Sequence, residues 1–239
     1  MKKIAFALLL LSGIFSPKLF SQQNDFGMWN TLSFEYKISQ KLSIVAVEEF
    51  RLKENLSKIN LFYTNLGVSY KLNEYFKISP VYRFIQKAFD DGSFGLKHRL
   101  MLDITYKRKI SIISFTTRTR LQGELAFPGT DPLGYIPEYY WRQKFDFKFD
   151  ISSSRFTPYV GMEMRVQFYN PRIKEHQGFG FDRIRSYIGC DYVINKSNAL
   201  GIYYLTQFDF QVNDPTTLFI LGLEYSFMIG GGSKNYDTE

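Results

Sequence analysis

Between Phe26 and Phe227 apolar and polar residues alternate with a period of two, almost without a break. Side chains of an extended strand point alternately to opposite faces, so this period predicts strands with one apolar and one polar face. The stretch YYWRQKFDFKFD, residues 139–150, carries the pattern furthest. Tyr139, Trp141, Phe145, Phe147 and Phe149 fall on one face, and Tyr140, Arg142, Lys144, Asp146, Lys148 and Asp150 on the other. Eleven such segments are predicted, near residues 26–38, 42–52, 59–72, 76–87, 95–107, 110–122, 138–150, 156–169, 181–193, 199–210 and 217–227. Strands of soluble domains have a mode of about five or six residues, whereas a tilted strand that crosses a bilayer needs about ten. The lengths favour the bilayer.

The connections have their own rhythm. Residues 39–41, 73–75, 107–109, 151–155 and 194–197 are short, and they alternate with longer, Gly-, Pro- and charge-rich segments at 53–58, 88–94, 123–137 and 170–180. Outer-membrane barrels place short turns on the periplasmic side and longer loops outside. The expectation is an all-β fold, a transmembrane antiparallel up-and-down β-barrel of 10 to 12 strands. The first and last segments run in the same direction, which makes eleven, and bacterial single-chain barrels have even counts. The reading therefore leans to twelve, with one segment merged or missed.

The apolar faces can be followed along the chain, as in Leu32, Phe34, Tyr36 and Ile38, or Leu100, Leu102, Ile104 and Tyr106, or Phe219, Leu221, Leu223, Tyr225 and Phe227. Tyr36, Tyr70, Tyr106, Tyr139, Trp141 and Tyr192 fall toward strand ends, where amphipathic rings form interfacial girdles. The opposite faces carry Glu49, Arg51, Arg83, Arg99, Asp103, Arg118, Arg120, Arg142, Lys144, Asp146, Glu163, Arg165, Arg183, Arg185, Asp191 and Glu224. On a soluble sandwich these would be solvated surface. In a closed barrel surrounded by lipid they line the lumen, where charge is tolerated only in a paired or hydrated network. Cross-strand neighbours lie about 5 Å apart, so the Glu-x-Arg and Arg-x-Arg spacings predict ladders of alternating sign.

The first residues, MKKIAFALLLLSGIFSPKLFS, read as a secretory signal peptide over 1–21, with a barrel over 22–227 and a tail over 228–239. Losing residues 1–21 removes Lys2, Lys3 and Lys18 and lowers the formal net charge of +7 by three. That modest basic excess gives no reason to expect nucleic acid as a partner. Cys190 is the single cysteine, so no intramolecular disulfide forms. The expected location is the outer membrane of a Gram-negative bacterium, and the expected partners are outer-membrane lipid and the barrel-assembly machinery. The sequence does not give the oligomeric state.

Candidate chemistry is sparse. Barrel enzymes pair a serine nucleophile with a histidine base, and here His98 has the lipid-facing parity of its strand while His176 lies in a long loop beside Lys174 and Glu175. No metal site is expected from two histidines and one cysteine, widely spaced, and calcium at Asp90, Asp91 or Asp131 lacks a supporting spacing. Asp103, Glu163 and Glu224 could meet as glycosidase carboxylates, but each has an arginine on its own or a neighbouring strand, so a salt-bridged wall is the better reading. Gly230 to Lys234 lacks the spacing of a phosphate loop. No cofactor is expected.

The segments DFGMWNTLSFEYKISQKLSIVAVEEFR, NLGVSYKLNEYFKISPVYRF, LKHRLMLDITY and TTRTRLQ resemble a family of uncharacterised outer-membrane barrels, domain of unknown function 2490. The marks are Trp29, Glu49 with Arg51, Tyr82 with Arg83, Arg118 with Arg120, Glu163 with Arg165, and Arg183 with Arg185. The resemblance implies a fold and a location and no activity. The last strand, LFILGLEYSF, is also similar to the assembly signal of outer-membrane barrels. The expected role is non-enzymatic: structural, binding, or a narrow pore that prefers anions because ten of the sixteen inward charges are basic. The alternatives are a lipid- or lipopolysaccharide-modifying barrel enzyme and, more weakly, a soluble barrel that binds an apolar ligand.

Overall fold

A computed structural model describes residues 23–126, 136–170, 179–210 and 216–230. The expected signal peptide, residues 231–239 of the expected tail, His176 and Asp131 lie outside them. The strands are β1 (Gln23–Lys37), β2 (Leu42–Lys53), β3 (Lys58–Lys71), β4 (Phe76–Ala88), β5 (Phe94–Ile110), β6 (Ile113–Ala126), β7 (Glu138–Phe149), β8 (Phe156–Tyr169), β9 (Gly180–Asn195), β10 (Asn198–Asp209) and β11 (Thr216–Gly230). Each pairs antiparallel with its sequence neighbour, and the sheet closes on itself.

The closing seam settles the strand count at eleven, within the expected range, and no twelfth strand is needed among the described residues. β1 and β11 pair in parallel, in register from Gln23↔Thr216 to Lys37↔Gly230. An odd number of up-and-down strands can close only through one parallel junction. Parallel pairing is slightly weaker per residue than antiparallel, and here it runs the full 15 residues of both strands. As a result Gln23 lies at the end of the barrel that carries the longer loops, while Gly230 lies at the end with the short turns. The same pairing carries β11 through Met228, Ile229 and Gly230, three residues past the expected boundary at 227.

The short turns are built by local side-chain capping. Ser39 Oγ accepts from the amides of Lys41 and Leu42 at 3.2 and 3.1 Å, and Asn73 Oδ1 from those of Tyr75 and Phe76 at 2.9 and 2.8 Å. The β5–β6 corner lies at Ser111 and Ile112 rather than at 107–109, with Ser111 at φ 54° and Ile110 paired to Ile113. Strand alternation runs straight through the basic run Lys107–Lys109, so charge there marks a strand end and not a turn.

The outward faces are apolar and exposed, as at Leu32, Leu66, Leu100, Leu121, Phe147, Ile188 and Ile202. Rings pair near both ends of the barrel. Phe76–Tyr106, Phe156–Tyr192 and Phe34–Phe227 lie toward the short turns, with centroids 5.1, 4.9 and 5.8 Å apart. Phe50–Phe62 and Phe181–Phe210 lie toward the longer loops, at 4.8 and 5.5 Å. Inside, tyrosines fold flat over glycines on the adjacent strand. Tyr203 covers Gly222 and Tyr187 covers Gly161 so closely that a Cβ on either glycine would fall 1.9 or 2.2 Å from the ring or its hydroxyl.

Candidate functional site

The barrel interior holds the chemistry. Eight strands make an interior that side chains just fill, while sixteen or more leave a channel. Eleven strands fall between, so closure depends on how long the inward side chains are. Here they are arginine, tryptophan, tyrosine and glutamate. Around the middle of the lumen Trp29 is 7% exposed, Arg83 7%, Arg120 7%, Arg142 9%, Glu163 5% and Arg185 8%. Groups that face the inside of a tube reach this burial by packing against inward side chains of nearby strands.

The register brings like charges side by side rather than in alternation. Asp103, Arg120, Arg142, Arg165, Arg183 and Asp209 occupy one row on the six strands from β5 to β10. Four adjacent arginines, about 5 Å apart, are unfavourable unless each finds an acid elsewhere. Each does. Arg120 forms a two-pronged pair with Asp103 at 2.6 and 2.7 Å, and Arg165 one with Asp182 at 2.9 and 2.6 Å. Arg183 bonds Asp209, and Arg142 bonds Glu163.

Glu163 is the hub. Besides Arg142 it accepts from Arg118 at 2.8 Å and Arg185 at 3.1 Å, so three guanidiniums share one carboxylate. Arg118 also approaches Asp103 at 3.9 Å, and Arg185 bonds the Gln207 amide oxygen at 2.7 Å. On the other wall Glu49 accepts from Arg51 at 2.5 Å, the Tyr63 hydroxyl at 2.6 Å and Thr31 at 3.0 Å. Arg51 lies 3.6 Å over the Trp29 ring, and Arg83 3.5 Å over that of Tyr63. Trp29 packs with Leu205 and Ile220, an apolar patch inside the otherwise polar lumen. Toward the longer loops Glu124 holds Lys97 at 2.9 Å and Arg99 at 2.7 Å, and toward the short turns Lys144 pairs with Asp146 at 3.2 Å and Lys148 with Asp191. Glu224 accepts from Ser226 at 3.3 Å.

By register and parity, the sixteen residues singled out in the sequence share the strand face opposite the exposed apolar one. Several of their partners were missed. Asp182 has the wrong parity for an inward residue, and it turns inward because the register shifts between Arg165 and Val166. Glu124 lies beyond the expected end of its strand. Asp209 was on the inward parity and could have been read. Trp29 was noticed only as a family mark, although its parity, opposite to that of Leu32, Phe34 and Tyr36, already placed it on the polar face.

The outer face has polar points of its own. Glu48 and Glu49 are adjacent, so one must point out. Glu48 does, near the middle of β2, with Thr64 donating to it at 2.9 Å. It borders a largely apolar crevice of about 630 Å³ that crosses the β1–β11 seam and is lined by Leu32, Phe50, Phe62, Ile202 and Leu223 among others. His98 Nδ1 lies 2.5 Å from the Tyr82 hydroxyl on the same outer surface. In the loops, Asp90 meets Lys53 and Lys58, and Asp91 accepts from Ser93 at 2.9 and 2.6 Å. The lysines hold the Glu54 and Asp90 carboxyls below their ordinary values. Among the described residues no group of three or more His, Cys, Asp or Glu side chains is placed to hold a metal ion.

No curated protein matches the chain in sequence. Among solved structures, the crystal structure of the β domain of the Bordetella autotransporter Brka is similar at 11% identity over 81% of this chain and 86% of that one, with a TM-score of 0.49. Residues 26–217, most of the strand-forming length, match the family described as a protein of unknown function, DUF2490, and the chain belongs to that family.

Proposed function

We propose that this is an outer-membrane β-barrel with a lumen closed at mid-height by its own side chains, a non-enzymatic protein that acts through its rims and loops rather than by passing solutes. The burial of Trp29, Arg83, Arg142, Glu163 and Arg185 in the middle of the tube carries the closed-lumen reading. A conducting pore needs a continuous file of water, and these groups exclude one. Three observations support the membrane. The outward faces expose a continuous apolar surface far beyond the few hundred Å² usual on soluble monomers. Ring pairs flank it at both ends, as interfacial girdles do. Strands of 12 to 17 residues are long enough to cross when tilted.

The excess of inward arginine favours a second reading, a narrow pore that opens transiently and prefers anions. His98 gives little to an enzymatic reading. It faces outward against the Tyr82 hydroxyl. The membrane reading is tested by fractionating cells that express the full chain. Recovery with the outer membrane, as a band that migrates faster on gels before heating than after, is expected. Recovery in the soluble fraction without detergent would overturn it and favour a soluble barrel.

A further inference from the structure

The charges at the middle of the lumen do not balance. Arg51, Arg83, Arg118, Arg120, Arg142 and Arg185 meet three carboxylates there: Glu49, Asp103 and Glu163. Arg51 and Arg120 each have an acid of their own. Arg118, Arg142 and Arg185 share Glu163, and among the described residues Arg83 meets the Asn65 amide oxygen at 2.6 Å and the face of Tyr63 rather than an acid. In the neighbouring layers Lys144 is matched by Asp146, Arg165 by Asp182 and Arg183 by Asp209, and Glu224, one strand beyond Thr31 from Glu49 and bonded to Ser226, offsets one further charge. Two positive charges are left over at mid-height, where unpaired charge is costly. A second observation, from hydrogen bonding, points to the same place. The Nε–H groups of Arg118 and Arg142 are buried and have no acceptor among the described residues. Buried donors are nearly always satisfied, by protein, water or an ion.

We propose that the lumen carries a bound small inorganic anion, held by Arg118 and Arg142 beside Glu163, with the charges of Arg120 and Arg185 in range. The guanidinium fork suits it, since Nε and Nη present parallel donors to an oxyanion or a halide. Arg118 offers the way in, because its side chain is 23% exposed while those of Arg142 and Arg185 are nearly covered. The anion completes the charge layer and locks the plug.

An ion that binds only the folded barrel stabilises it in proportion to ln(1 + [ion]/Kd). The test is the thermal midpoint for loss of the fast-migrating folded band in detergent. Sodium chloride and sodium phosphate are each titrated against sodium gluconate, too bulky for the packed lumen, at constant ionic strength. The midpoint is expected to climb with the logarithm of chloride or phosphate concentration, and whichever acts identifies the ion. Arg118→Gln removes one surplus charge and one orphan donor, and at an anion concentration near the onset of the parent's climb it should at least halve the rise in midpoint. Glu163→Gln adds a surplus charge and should move the onset to lower concentration; if that variant folds only when the anion is present, its yield reports the same dependence. The same onset concentration in all three proteins, or no difference between gluconate and the small anions, would overturn the proposal. The proposal rests on the closed-lumen reading, but its readout is stability rather than current, so failure of the one is distinguished from failure of the other.

Discussion

The Arg51 guanidinium lies over the Trp29 ring, 3.6 Å from its centre, and Arg185, three strands away on β9, reaches the same ring at 5.1 Å. One aromatic side chain on β1 thus bridges two cations from β2 and β9. Cation–π contacts strengthen when desolvated, to about 2 kcal/mol or more, and this ring is buried. Trp29→Ala should cost about 3–5 kcal/mol of stability, as large buried aromatics do. It should also leave a gap through the plug, so brief current steps in planar bilayers are expected from the variant. A variant as stable as the parent would show that the lumen is not packed around Trp29.

The parallel seam places the two ends of the described chain at opposite ends of the barrel. Asp25, near the start of β1, accepts from the Glu54 and Asn55 amides at 3.0 Å each, which ties that end to the β2–β3 loop. An epitope directly ahead of Gln23 should be read from the same side of intact cells as one inserted at Gly92 in the β4–β5 loop. One following Gly230 should be reached only after the membrane is opened. If both terminal epitopes are read from one side, the strand count is even and the seam is wrong.

Charge on the outer face should be expensive, and removing it should help. Phe147→Arg places a cation among lipid chains and should lower unfolding free energy by about 2–4 kcal/mol, with Lys148→Ala, on the inward face, costing less. Glu48→Leu should act in the opposite sense and raise stability by up to about 2 kcal/mol, because it withdraws a carboxyl that faces outward with Thr64 as its bonded partner. Urea titration of the barrel folded into lipid vesicles measures all three. A destabilising Glu48→Leu would mean that the carboxyl is covered by a partner that needs it.

At the loop end, Glu54 and Asp90 owe their lowered pKa values first to hydrogen bonds from Lys58 and Lys53 respectively. A carboxyl depressed in the folded state adds stability that is present above its ordinary value and is lost as the pH falls through the depressed one. For Glu54 the ordinary value is 4.5 and for Asp90 3.8. Protection of the β2–β3 loop amides, corrected for the intrinsic pH dependence of exchange, should therefore be retained at neutral pH and fall below those values. Protection that is insensitive across that interval would show that the four-residue cluster does not hold the loop.

What the sequence made legible follows from the range of each signal. Alternation is local and has a fixed period, so the strands, their faces and the all-β class could be read from it. The β1–β11 seam joins residues nearly two hundred positions apart, and no local pattern marks it. The ladder of four arginines depends on register, which the turns set one hairpin at a time. Moving the β5–β6 corner to Ser111 and Ile112 changes which residues meet. Asp182 was hidden by a bulge, and Glu48 by the glutamate beside it. Whether the lumen is filled is a matter of side-chain reach across the tube, which composition suggests and only coordinates supply.

Single-channel recording on residues 22–239, folded from detergent into a planar bilayer under a salt gradient, tests the central claim most directly. The account predicts a folded, heat-modifiable barrel that inserts and passes no current, since Arg142, Glu163, Arg185 and Trp29 close the tube. Discrete, regular steps with a reversal potential set by anions would contradict it, and would make the row from Arg120 to Arg183 the wall of a pore.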